Sequence, residues 1–233
     1  MSLPKLEHPT FELTIPSSKN PVRYRPFLVK EEKILLMAQE SGEEKEVIHA
    51  IQQIIANCLV EGDFSVETAP TFDVEYFFLK LRALSVNDVA KITITDEDNQ
   101  SQHEVEINLN EIDVIFPDSD TVNNIVEVTD NLSLELRYPT FSDLEMVDAG
   151  EILTGSVELM QRCVARIYNG EEVFDTADYT AAELNEFVEN LPADTFEKMQ
   201  DFFTVMPKLS HEVSYKVGKK TKKQTIEGLA SFL

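Results

Sequence analysis

Residues 47–59 carry the feature that most limits the fold. Val47, Ile48, Ile51, Ile54, Ile55, Cys58 and Leu59 fall at i, i+1, i+4, i+7, i+8, i+11 and i+12. At 3.6 residues per turn these positions form one apolar stripe, with Glu44, Lys45, Gln52, Gln53 and Asn57 opposite. Such a helix must bury one side against another element. A second helix, Phe72 to Leu84, supplies a heavy apolar face in Val74, Phe77, Phe78, Leu81 and Leu84; Thr71 is expected as its N-cap, with Asp73 and Glu75 in its positive first turn. The period then changes from 3.6 to two. Val89 to Thr95 and His103 to Leu109 read as strands around a polar turn at 96–102, and the apolar tract 112–116 follows. Ahead of both helices, Phe11–Ile15 and Val22–Arg25 flank the turn residues 17–21 and read as an opening hairpin. A short helix, Lys30 to Gln39, follows and is stopped by Ser41-Gly42.

The same order recurs after a polar, turn-rich boundary at Pro117 to Asp120. Ile125–Val128 and Leu132–Leu136 make a hairpin around Asp130-Asn131. Arg137-Tyr138-Pro139 closes it as Tyr24-Arg25-Pro26 closes the first. Thr140 to Val147 reads as a short helix, and Ser156 to Tyr168 as an amphipathic one through Leu159, Met160, Cys163, Val164 and Ile167. An extra helix, about 180–191, opens on Thr180 with Glu183 three residues on, a capping box, and is expected to bury Leu184, Phe187, Val188 and Leu191. Phe196, Met199, Phe202, Phe203 and Met206 mirror the aromatic helix. His211–Val217 and Gln224–Ile226 mirror the ribbon around a Lys-rich turn, and Leu229–Leu233 closes the chain as a cap on its own lobe. The expectation is an α+β fold of two similar lobes from an internal duplication, each with an opening β-hairpin, a small helical core and a projecting two-stranded β-ribbon. The lobes are 1–117, with its ribbon at about 89–109, and 118–233, with its ribbon at about 211–226.

Candidate chemistry is sparse. His8, His49, His103 and His211 fall in no metal-ligand spacing, and the ribbon turns hold no cysteine, so metal-free hairpins are expected. Asp96, Asp98 and Gln100 resemble the start of a calcium loop, but Ser101 and Ile107 stand where glycine and glutamate are needed. Cys58 and Cys163 lie on apolar helix faces and read as buried thiols, too few for a disulfide framework. With 7 glycines and no phosphate-loop or nucleophile-elbow pattern, no catalytic, cofactor-binding or metal residue is assigned, and no enzymatic activity, cofactor or small-molecule substrate is expected. No apolar run approaches the ~20 residues that span a bilayer, and the opening residues, with no apolar core, lead to the expectation of no secretory leader.

Charge narrows the partners. The 233 residues carry 43 acids and 20 Lys or Arg, a net charge of −23 spread over both halves. Between Ile92 and Leu136 stand 12 acids and no base, while Lys216, Lys219, Lys220, Lys222 and Lys223 crowd one stretch. Affinity for polyphosphate rests on Lys and Arg displacing counterions, so neither nucleic acid nor an anionic membrane is expected as a partner. Two readings suit an acidic chain of this kind: a part that binds other proteins, and an acidic mimic of nucleic acid that occupies a basic DNA-binding protein.

Three stretches carry a resemblance. They are Leu3-Pro4-Lys5-Leu6 with Phe11-Glu12-Leu13-Thr14-Ile15-Pro16-Ser17, then Tyr24-Arg25-Pro26-Phe27-Leu28-Val29-Lys30-Glu31-Glu32-Lys33-Ile34-Leu35-Leu36-Met37-Ala38, and the closing Ile226-Glu227-Gly228-Leu229. The chain resembles the small baseplate-hub protein family of T4-type contractile-tailed bacteriophages over nearly its whole length. The resemblance implies a non-enzymatic phage protein made in the host cytoplasm, a hub subunit or hub assembly factor of the tail baseplate. Its implied partners are other baseplate hub and tail proteins, and its further location is the virion baseplate. No catalytic residues carry over.

Overall fold

The computed structural model of the protein describes residues 6–96, 98–117, 123–146, 152–218 and 220–232. Twelve strands and seven α-helices are described, in small antiparallel sheets, and the class is α+β. The chain forms two compact units, one of residues 1–115 with 208–233 and the other of residues 116–207.

In the first unit, β1 (Phe11–Thr14) and β2 (Pro21–Tyr24) form the expected hairpin, and a third strand, β3 (Leu59–Glu61), joins β2. Between them lie α1 (Val29–Ser41), ended by Gly42 at φ 69°, and α2 (Glu44–Cys58). The stripe of α2 is buried as its spacing requires, with Ile54, Ile55 and Cys58 at 0% exposure. α3 (Thr71–Ser85) is the centre of this unit: Phe72, Val74, Phe77, Phe78, Leu79 and Leu81 are all at or below 2% exposure. A helix buried on so many sides needs cover all round, and α2, a strand, the ribbon and the C-terminal turn supply it. Each of these side chains contributes about 1.5–3 kcal/mol on leaving water. Thr71 is not the N-cap. Pro70 occupies that place without a side-chain cap, and Asp73 accepts hydrogen bonds from the Ser17 backbone N–H and hydroxyl instead.

β4 (Val89–Thr95) and β5 (Gln102–Asn108) pair along their whole length, with Ala90, Ile92 and Ile94 turned inward. A short 3-10 turn then leads to β6 (Asp113–Ile115). Lys80 reaches from α3 to the carbonyls of Leu109, Asn110 and Ile112 at 2.7–3.3 Å and holds that turn in place.

The second unit opens with β7 (Ile125–Thr129) and β8 (Leu132–Leu136), followed by α4 (Phe141–Met146) and α5 (Ile152–Arg162). The expected boundary residues 118–120 and Val147 lie outside the described residues. The amphipathic helix expected over 156–168 ends at Arg162. Val164 to Asn169 is instead a strand, β9, paired with β8 on one side and with β10 (Glu172–Asp175) on the other. Its apolar residues fit a helical stripe, but Asn169-Gly170 closes a tight hairpin with Gly170 at φ 62°, and the strands decide. The sheet order is β10-β9-β8-β7. α6 (Ala181–Glu189) has the capping box of Thr180 and Glu183 as read, but none of its residues is fully buried; Leu184, Phe187 and Val188 are half-covered. α7 (Ala193–Thr204) completes a core of Val126, Leu134, Leu136, Met160, Val164, Ile167, Met199 and Phe202.

The chain then returns to the first unit. β11 (Lys208–Val217) pairs with β6 through Leu209↔Val114 and with β12 (Lys220–Glu227) over eight positions. The C-terminal turn buries Leu229 and Phe232 beside α3 and β4. The ribbon and cap expected to finish the 118–233 lobe therefore belong with residues 1–115. The reason is backbone pairing: β6 is a short edge strand whose hydrogen-bonding groups find their partner in β11.

Candidate functional site

Two arginine clasps are built alike. Strand β2 ends one residue before Arg25, whose backbone N–H donates to the Cys58 carbonyl at the end of α2. Its guanidinium donates to the carbonyls of Asn57 (2.8 Å) and Pro26 (3.0 Å) and to both oxygens of Glu31 (3.0 and 3.3 Å). Glu31, with a fully buried side chain, also accepts the Leu28 N–H at 2.9 Å. Strand β8 ends one residue before Arg137, whose N–H donates to the Cys163 carbonyl just past α5. Its guanidinium donates to the carbonyls of Arg162 and Tyr138 and to both oxygens of Asp143, which accepts the Thr140 N–H. In each case the acid lies six residues after the arginine and the cysteine beneath it is buried. Burial pushes the Glu31 and Asp143 carboxyls up, but arginine and backbone donors more than offset this and hold both below the usual range. Burial raises the Cys58 and Cys163 thiols to about 11 and about 12, so both stay protonated at neutral pH.

A third polar junction ties the ribbons of the first unit. Asp96, at 0% exposure, accepts from Lys222 Nζ (2.6 Å) and Tyr215 Oη (3.1 Å), and its other oxygen caps the turn through the N–H groups of Asp98 and Asn99. The Lys222 hydrogen bond is the main cause of its carboxyl lying below the usual carboxylate range. The His103 ring lies tilted against Tyr215 with ring centres 5.1 Å apart, and its Nε2 hydrogen-bonds Ser101 Oγ at 2.7 Å. His211 pairs with Ile226 in the other ribbon, so the two histidines take different surroundings. Asp96 and Asp98 each accept from Lys222 Nζ at 2.6 Å, and among the described residues no group of three or more His, Cys, Asp or Glu is gathered to hold a metal.

The division into units redistributes charge. Residues 116–207 hold 20 acids against 4 bases, whereas the remaining residues hold 23 against 16. The second unit carries −16 of the −23. Its four bases are all engaged at home: Arg137 with Asp143, Arg162 with Glu158, Arg166 with Glu135 and Asp175, and Lys198 with Asp194. On the same unit a groove of about 1180 Å³ runs beside α5, α6 and the 175–179 turn. Val157, Ala165, Ala182, Tyr179 and Leu184 line it beside Glu189 and the ion pairs of Arg137, Arg162 and Arg166.

The family model described as "T4 bacteriophage base plate protein" matches residues 8–233. The chain belongs to that family. Searches of curated proteins and of solved structures give no match. As a base plate protein the chain contacts other phage tail proteins. The stretch from Arg25 to Lys33, the most specific part of the resemblance, holds the first clasp and the start of α1. Neither clasp was singled out from sequence. The signal for them was available: Arg25…Glu31 and Arg137…Asp143 share one spacing, each beside a proline turn.

Proposed function

We propose that this base plate protein is a non-enzymatic hub subunit or hub assembly factor that works through protein–protein contacts. The family match over residues 8–233 carries the reading. The charge partition supports it, because a unit of −16 with every base engaged has strong attraction only for cationic surfaces. The protein acts in the host cytoplasm during assembly and resides in the tail baseplate if it is a subunit. Co-expression with the hub proteins of its phage tests this: a stable complex is expected, and no complex together with intact tails after gene deletion refutes it. Mass spectrometry of virions beside assembly intermediates separates the roles, since a subunit is found in both and an assembly factor only in intermediates. The acidity also favours a second reading, a nucleic-acid mimic; it requires binding to DNA-binding enzymes that weakens by orders of magnitude as salt rises.

The matching clasps also support descent of the two halves from one duplicated β-β-α-α-β element. Superposing residues 11–61 on 125–169 tests this: the two arginines and their cysteine carbonyls should coincide, and a failure to align strands and helices together rejects it.

A further inference from the structure

We propose that the groove of the second unit is the docking site for a Lys/Arg-rich amphipathic segment of a protein partner. This deepens the proposed function and rests on it. In the first unit the chain passes from β3 to α3 with neither strand nor α-helix between them, whereas in the second it passes from β9 to α7 through β10 and α6. The added chain builds one wall of the groove, and its apolar side chains stay half-covered. A second hollow of about 290 Å³ shares Val157, Gln161 and Glu189 with the groove and extends it past Val188, Leu191 and Phe196. The result is a trough with apolar side chains along its length, larger and more open than a small-molecule pocket.

Charge selects the occupant. Arg137, Arg162 and Arg166 line the groove, but each is paired with an acid of the same lining, so five acids there face three bases; Glu189 has no paired cation among the ion pairs described, and the unit as a whole is at −16. A second copy would bring −23 against −23, and nucleic acid or an anionic lipid surface would be repelled in the same way. An amphipathic segment with cations flanking apolar residues matches both aspects of the trough, laying its apolar face into a groove as helical ligands do.

The test uses the full chain and a synthetic amphipathic Leu/Lys peptide, with the Leu/Glu peptide of the same pattern and poly-lysine as comparisons. The Leu/Lys peptide should bind with salt-sensitive affinity, and its amide shift changes should map to 157–196. Ala182→Trp, which fills the groove without changing charge, should raise Kd about tenfold or more, the loss of a central contact. Glu189→Lys, on the exposed face of α6, should weaken binding and flatten its salt dependence, and it keeps the test open if the tryptophan disturbs the helix. Poly-lysine binding as tightly as the Leu/Lys peptide, shifts mapping to 89–115 or 208–232, or a silent Ala182→Trp overturns the groove. If the unaltered protein forms the hub complex, any of these results rejects the groove alone, whereas no hub complex with the unaltered protein rejects the reading beneath it.

Discussion

Glu31→Gln should unfold the first unit well before the second. The carboxylate has no exposed side-chain surface, and it neutralises a guanidinium whose side chain is only 13% exposed. Glutamine keeps the volume and removes the charge, leaving Arg25 beside an amide whose NH2, a donor, replaces one of the two oxygens that its guanidinium met. Breaking a buried pair by deleting one partner costs about 3–5 kcal/mol. The first unit holds residues 1–115 and 208–233, so its unfolding entropy, at about 2.1 cal/mol/K per residue, is roughly 0.3 kcal/mol/K. The expected drop in its melting temperature is therefore about 10 °C or more. Native-state hydrogen exchange localises the effect. The Arg25 amide, bonded to the Cys58 carbonyl, should lose protection, while the Arg137 amide, bonded to the Cys163 carbonyl, serves as the control. Arg25→Leu with Glu31→Leu should be less damaging than the sum of the single changes, by about 2 kcal/mol. A melting shift under about 2 °C, or equal losses at both amides, would show that the clasp does not hold this unit together. Acid titration gives a further check: the folded value is depressed, so the pair's contribution is present above the ordinary glutamate range and lost as pH falls below it.

Glu75 behaves in the opposite sense. Burial raises it to about 7 although it accepts the Leu229 N–H, so the folded state is favoured at mildly acidic pH and loses stability as pH rises through about 7. Glu75→Gln should remove that dependence and raise the melting temperature at pH 8. Gly62 sits at φ +120°, and a Cβ there would meet Val22 Cγ1 at 2.8 Å and Val22 Cα at 2.9 Å; Gly62→Ala should cost about 2–4 kcal/mol by urea melting. Asp96→Asn should deprive Lys222 of its buried acceptor and speed amide exchange in β12, with β7–β10 unchanged. Both thiols should resist a disulfide exchange reagent until the protein unfolds, because each is buried and protonated.

Local patterns were legible where one period ruled. The stripe of α2, the alternation of β4 and the capping box of α6 all took the form their spacing required. Val164 and Ile167 misled because a spacing of three suits a helical stripe; in β9 both are buried because the pairing with β8 shifts register between Glu135 and Leu136, and the Asn169-Gly170 turn was the signal for strand there. The place of β11 was invisible for another reason. Its partner β6 lies more than 90 residues earlier, and a three-position register leaves no trace in either segment alone. That pairing also hid the charge asymmetry, since moving six lysines into the first unit turns an even acidic excess into a lopsided one. The clasps depend on carbonyls at a helix end, which composition and periodicity do not report.

Because β11 and β12 complete the body that residues 1–115 begin, the second unit is an insertion tethered at both ends. A nascent chain can fold residues 116–207 on the ribosome while the earlier segment still waits for its last strands. A protease cutting one connection would leave the halves joined, and trimming the C-terminus would injure the N-terminal body first.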